Sequence, residues 1–231
     1  MDRTSSSFSF DDPRCLPPRQ TQKTDLADGG FVLRNPEPLQ SYARCVGEWL
    51  EHWALLTPDA TAFAEPDAAQ PGGWRRLSWR ALRQRVGSVA QGLLDLQLPP
   101  GKPVVVLSDN ALDHLVLLLA GMHVGRAVCT VSSGYCRLAG GDYTRIHGIL
   151  RTLDPALVYA ASAAAYAPAM ADAGLRVPFV LSQGADEVPG ALPFSALANT
   201  KETPAVMRAF SAITSDTDAK YLLTSGSTGQ P

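Results

Sequence analysis

The sequence predicts an α/β fold: part of a larger N-terminal domain, with a largely parallel sheet flanked by helices. Three observations predict it. Short, continuous apolar runs recur at Val104–Leu107, Ala127–Val131, Leu157–Ala160 and Pro178–Leu181. Such runs suit strands buried on both faces, as parallel strands are. Between them lie stretches with helical spacing, and strands joined through helices pair in parallel. Finally, 45% of the 231 residues are hydrophobic, enough for a substantial core.

The elements follow in order. Residues 1–30 are rich in Ser, Pro, Asp, Gln and Gly and bury too little to offset ordering entropy, so they read as a loose tail. Order is expected from Phe31, and 31–231 reads as one incomplete domain. Val46, Trp49, Leu50, Trp53 and Leu56 recur at helical spacing and predict a helix whose apolar stripe is core. Thr57-Pro58-Asp59 stops it. Runs at Thr61–Glu65 and Trp74–Leu77, separated by turn residues, predict a hairpin. Ser78 is placed to cap the next helix, which buries Leu82, Val86, Val89, Ala90, Leu93 and Leu94. Helices are then expected over 110–124, around Tyr143–Leu153 up to Asp154-Pro155, and over 162–173. The Pro-, Gly- and Ala-rich stretch 184–204 reads as a loop with at most one short turn. A last strand-like run, Lys220–Leu223, follows.

Composition excludes several functions. With 18% charged residues and a formal net charge of -2, there is no basic stripe for nucleic acid or an acidic membrane surface. The longest strongly apolar run, Leu115–Met122, falls far short of the roughly 20 residues that span a bilayer. The N-terminus lacks the apolar stretch of a signal peptide. Cys15, Cys45, Cys129 and Cys136 show no C-x-x-C spacing, so they read as reduced thiols of a cytoplasmic protein. His114 and His123, nine positions apart on one helix, face different ways and are assigned packing rather than a metal. His147 is given no function. Cys129, Tyr135 and Cys136 follow a strand end, where α/β folds gather ligand-binding groups.

The chemistry concentrates in one string. Lys220–Leu223 runs into Thr224-Ser225-Gly226-Ser227-Thr228-Gly229-Gln230-Pro231. A polyphosphate needs short donors that converge without obstruction. Glycines admit the backbone amides, and Ser and Thr hydroxyls add further donors. By composition alone, a flexible linker looks the same. The string is no Walker A loop, since no Lys-Ser or Lys-Thr follows, and G-x-G-x-x-G does not occur.

The string Leu223–Pro231 resembles the phosphate-loop signature of the adenylate-forming (AMP-binding) superfamily, which holds acyl- and aryl-CoA synthetases and peptide-synthetase adenylation domains. Leu77–Leu82, Gly101–Asn110 and Ala120–Val128 are similar to it in the same order, so the resemblance covers about residues 31–231. Val104–Asn110 with His114, Met122–Ser133 with Tyr135 and Cys136, and Phe210–Thr214 resemble feruloyl-CoA synthetases in particular.

The resemblance implies an ATP-dependent acid–CoA ligase acting through an acyl-adenylate, with ATP, Mg2+ and coenzyme A as reactants and a hydroxycinnamate as the acid. Other acyl-CoA synthetases, a peptide-synthetase adenylation domain and a non-catalytic nucleotide-binding fragment are the alternatives. Thr224, Ser225, Gly226, Ser227, Thr228 and Gly229 would hold the β- and γ-phosphates. In the family the loop continues with Lys-Gly, where this sequence has its last residue. Catalytic, magnesium-positioning and most acyl-pocket residues are therefore expected beyond Pro231, with no metal ligand among these residues and no activity from this stretch alone.

Overall fold

The computed structural model describes residues 20–67, 69–137, 141–171 and 173–224. They belong to two compact units, divided between Tyr42 and Ala43. In the first, β1 (Gln22–Asp25) and β2 (Phe31–Arg34) form an antiparallel hairpin. β1 falls inside the stretch read as a loose tail. Its turn is local chemistry: the Asp28 carboxylate accepts the Gly30 amide, and Gly29 takes φ 84°, which suits glycine.

The second unit is built on a six-stranded, wholly parallel sheet. Its strands are β5 (Val104–Val106), β6 (Val128–Thr130), β7 (Leu157–Ser162), β8 (Phe179–Gln183), β9 (Leu192–Pro193) and β10 (Lys220–Tyr221). They lie in the order β10-β6-β5-β7-β8-β9. The apolar runs fill both faces by simple alternation. Val104, Val106, Val128, Leu157 and Tyr159 turn to one side, under α2 (Trp79–Asp95), α3 (Leu112–His123) and α6 (Phe194–Ala198). Val105, Leu107, Cys129, Val158 and Ala160 turn to the other, under α4 (Thr144–Leu153) and α5 (Ala163–Ala171). Among the described residues, no helix is long and apolar enough to cross a membrane.

Helix boundaries follow their caps. The Ser78 hydroxyl accepts the Ala81 amide at 3.2 Å and starts α2, as its position predicted. Asp154, at φ 43°, ends α4 at the expected break. Within 184–204, expected as loop, β9 and α6 form, and α7 (Pro204–Ser211) starts at the last residue of that stretch and buries Val206 and Phe210. Thr203 caps α7 through its hydroxyl and Pro204 opens it, so the N-terminal signal stood inside a composition that otherwise reads as loop.

One expectation fails outright. α1 (Val46–Leu56) forms, but of its predicted core stripe only Leu50 is buried. Trp49 is 62% exposed and Trp53 41%, with Val46 and Leu56 also exposed. Helical spacing identifies an apolar face without saying what lies over it. Trp53 instead stacks on Trp79, with ring centroids 6.2 Å apart.

α1 is held by charge at its other side. Arg83 on α2 donates to Glu51 at 2.5 Å and, as a fork, to Glu202 at 2.9 and 3.0 Å. A Cβ at Gly87 would lie 1.9 Å from the Glu202 carboxylate, so a larger residue there would push the Arg83–Glu202 pair aside. His123 of α3 is enclosed beside this cluster, stacked on Phe210 at 4.3 Å, with Glu51 3.4 Å from Nε2. Neither ring nitrogen has a hydrogen-bond partner. Burial, then the Arg83 charge, push its pKa from 6.5 down to about 4, so the imidazole folds neutral.

The unfolded chain therefore binds this proton more readily than the native state. Stability is complete above about pH 6.5 and is lost as pH falls toward 4. Urea denaturation should show roughly 2 kcal/mol lost to His123 between about pH 7 and pH 5. His123→Phe should flatten that slope; an unchanged slope would contradict a neutral, buried imidazole.

Candidate functional site

Parallel strands deliver all their exits to one end of the sheet, and here adjacent exits diverge. The chain leaves β5 for α3 on one face, whereas β6 and β7 send it to α4 and α5 on the other. Strand order reverses at β5, which is where a crevice opens at the carboxyl ends of an α/β sheet. β10 pairs in parallel with β6, so the residues after Tyr221 emerge at this same end. Tyr221 and Leu223 pack into the cluster that contains Tyr135 and Cys136, and Thr224 follows with its side chain exposed. Of the predicted phosphate-binding residues, Thr224 alone is described. Ser225, Gly226, Ser227, Thr228 and Gly229 lie outside the described residues.

Beside it, the exits of β5 and β6 are fastened together at Asp109. Its carboxylate accepts the Ser133 hydroxyl through one oxygen and pairs with Arg137 at 2.8 Å through the other. Arg137 also donates to Ser133 at 2.8 Å, which closes a three-membered ring of polar contacts. The Asp109 carbonyl lies 3.1 Å from Nδ1 of His114, whose Nε2 stands 3.3 Å from the Thr130 hydroxyl. Those two partners fit a neutral ring with Nδ1 donating. Burial lowers the His114 pKa in the same sense. His114 is thus a strut between β5 and β6, in keeping with the packing role expected for it. Ser108, just before Asp109, is buried with its hydroxyl unpartnered.

A second feature lies at the start of α3. Glu65, from the β3 (Thr61–Pro66) and β4 (Trp74–Ser78) hairpin, accepts the Leu112 amide at 2.6 Å and pairs with Arg75. A carboxylate thus satisfies the helix end that an anion would otherwise seek. The adjoining cavity, about 440 Å3, is walled by Phe63, Leu115 and Leu118. Its chemistry is apolar and acid-edged, unsuited to a triphosphate.

The remaining candidates resolve simply. Cys129 and Cys136 are buried in the sheet core, and burial pushes the Cys136 thiol up to about 11 and raises Cys129 too. Both are uncharged and turned inward, so neither presents a thiolate to a ligand. Tyr135 is half-buried under the Arg145 guanidinium, 4.4 Å from its ring centre. His147 bonds the Ala169 carbonyl at 2.9 Å. Among the described residues, no group of three or more His, Cys, Asp or Glu is gathered to hold a metal.

The model of the AMP-binding enzyme family matches residues 50–231. Among solved structures, the Klebsiella oxytoca NpsA N-terminal subdomain is similar over 81% of this chain and 40% of its own, at 16% identity and a TM-score of 0.57. The fatty acyl-adenylate ligase from L. pneumophila, in complex with acyl adenylate and pyrophosphate, matches 80% of this chain and 29% of its own, at 14% identity and a TM-score of 0.56. The Bacillus subtilis O-succinylbenzoate coenzyme A synthetase, in complex with AMP, matches 79% and 40%, at 16% identity and a TM-score of 0.54. At these identities the likeness is one of fold. The chain spans between 29% and 40% of the lengths of these proteins. No curated protein sequence matches it.

Thiol labelling tests the burial of the strand-end cysteines. At about pH 8 the native chain should protect Cys129 and Cys136 from iodoacetamide while the half-buried Cys45 reacts. Labelling of Cys136 at the rate of the denatured chain would contradict its placement.

Proposed function

The chain belongs to the AMP-binding enzyme family, and on that premise we propose that it supplies the phosphate-gripping edge of an ATP-dependent acid–CoA ligase. The observation that carries this reading is position. Thr224, which opens a run of hydroxyls and glycines in the sequence, follows the last strand at the carboxyl end of a parallel sheet, with β6 between that strand and the reversal at β5. Backbone amides and hydroxyls there suit an anion that arrives with several oxygens to satisfy.

In the reaction proposed, a carboxylate oxygen attacks the α-phosphorus of ATP. The bond between the α-phosphorus and the bridging oxygen breaks, and pyrophosphate leaves with that oxygen. The thiolate of coenzyme A then attacks the acyl carbonyl and AMP departs, leaving a thioester. Charge moves onto pyrophosphate in the first step. Thr224, Ser225, Gly226, Ser227, Thr228 and Gly229 hold the β- and γ-phosphates as that charge develops, which is where fixed donors lower a barrier. Magnesium would arrive with the nucleotide and neutralise part of the same charge. The contacts to adenine, ribose, magnesium and the acyl group come from the rest of the whole protein. Residues 31–231 are then one part of its larger domain, and ATP and coenzyme A as substrates put the reaction in the cytoplasm.

The narrower reading is a hydroxycinnamate as the acid, ferulate foremost. Its support is the likeness of 104–110 with His114, and of 122–136, to feruloyl-CoA synthetases. These are the stretches that meet around Asp109.

ATP–pyrophosphate exchange by the full-length protein tests both readings. Exchange should require a carboxylic acid and be fastest with ferulate, and residues 1–231 alone should give none. Gly226→Val should lower kcat/KM for ATP by about 10²–10³, the range for losing preorganised donors. Exchange with a different acid overturns the feruloyl reading only. No exchange with any carboxylate overturns the ligase reading.

A further inference from the structure

We propose that His123 operates an acid-sensitive clasp: when its imidazole takes a second proton, α1 lifts from α2 and α3 while the parallel sheet stays folded. The clasp is independent of the ligase chemistry.

His123 sits where four elements meet, and its side chain is fully enclosed. From α1, Glu51 stands 3.4 Å from Nε2. From α2, Arg83 holds that same carboxylate oxygen at 2.5 Å. Glu202, just before α7, takes the Arg83 fork at 2.9 and 3.0 Å. Phe210 of α7 covers the imidazole face at 4.3 Å, and the Arg44 guanidinium lies over Phe210, 5.1 Å from its centre. Nδ1 has no partner: it lies against α1 at Gly47, where a Cβ would be 3.0 Å from it.

This arrangement suits a neutral imidazole. Such a ring has one N–H to turn toward Glu51 and can leave its bare nitrogen against Gly47. A charged ring has two N–H groups. The second would meet the α1 backbone with nothing to accept it, close to the positive Arg83, and a buried charge left half-paired is costly. Burial, then the Arg83 charge, hold the pKa near 4, with Glu202 acting the other way. The second proton therefore needs water at Nδ1. Phe210 covers only the face of the ring, whereas Nδ1 opens in its plane, on the side of α1.

α1 is also the least anchored wall. Of its 11 residues only Gly47 and Leu50 are buried. Besides the Arg83–Glu51 pair it is held through Arg44, which pairs with Glu48 and donates to the carbonyls of Phe210 and Ile213. α2 and α3 instead bury a continuous row of side chains over the sheet. Elements with few buried contacts open first. With α1 lifted the imidazole titrates at its ordinary 6.5, against about 4 in the clasp. The lifted population thus grows as pH falls through that window and is constant above it. Those two values make the α1 opening constant rise about twentyfold between pH 7 and pH 5.

Native-state hydrogen exchange of the full-length protein in low urea, read by mass spectrometry, tests the clasp. Amides of α1 should exchange through an opening with little urea dependence, about twentyfold more populated at pH 5 than at pH 7 after correction for intrinsic rates. Amides of β5 and β7 should exchange only through global unfolding, with a steep urea dependence. His123→Phe should remove the pH dependence of the α1 opening; if that variant does not fold, the wild-type profile decides. An α1 opening that does not change with pH, one that shares the urea dependence of β5 and β7, or one that keeps its pH dependence in His123→Phe overturns the proposal.

Discussion

A parallel sheet has two apolar faces, and neither can be left to water. Everything else in the second unit depends on that constraint. The triplet Val104-Val105-Val106 points alternately to opposite sides, so helices must be supplied to both. Supplying them from one central strand makes the chain reverse at β5, with α3 going one way and α4 and α5 the other. The reversal spreads the strand exits and opens the end of the sheet where Thr224 emerges. The site's location is therefore a consequence of covering the sheet, fixed before any donor is placed.

Polar chemistry is then distributed by the same logic. Groups that fall inside the covered layers are held neutral: His114 and His123 lose their protons, and Cys129 and Cys136 keep theirs. Charged groups stay at the margins. Arg83 with Glu51 and Glu202 ties α2 to α1 and to the start of α7, and Asp109 with Arg137 ties one strand exit to the next. At the start of α3, Glu65 occupies the position an anion would choose. That end of α3 is thus already satisfied, and the polyphosphate grip is proposed at the hydroxyl–glycine run instead.

How much of this could be read in the sequence follows from the range of each interaction. The inner strands were legible because burial on both faces writes itself as an unbroken apolar run. Ser78 and Asp154 were legible because a cap or a break is decided within a few residues. The stripe of α1 was misjudged because its spacing is set locally and its covering is not: Trp49 stays in solvent although its period is that of a core residue. α6 was lost in a Pro- and Ala-rich composition, and the Thr203-Pro204 signal that starts α7 at the end of that stretch went unread. The phosphate-binding reading of the string from Thr224 rests on its composition and its resemblance, and the string after Thr224 lies outside the described residues. The fastening of Asp109 to Ser133 and Arg137 could not be read, because those residues meet only once β5 and β6 lie side by side.

The most direct test of the account is a crystal structure of the full-length protein with a non-hydrolysable ATP analogue and magnesium. The account predicts the β- and γ-phosphates against residues 224–229, at the carboxyl end of the sheet beside β6. A triphosphate seated anywhere else, with residues 224–229 making no contact to it, would contradict the assignment of this edge as the phosphate grip.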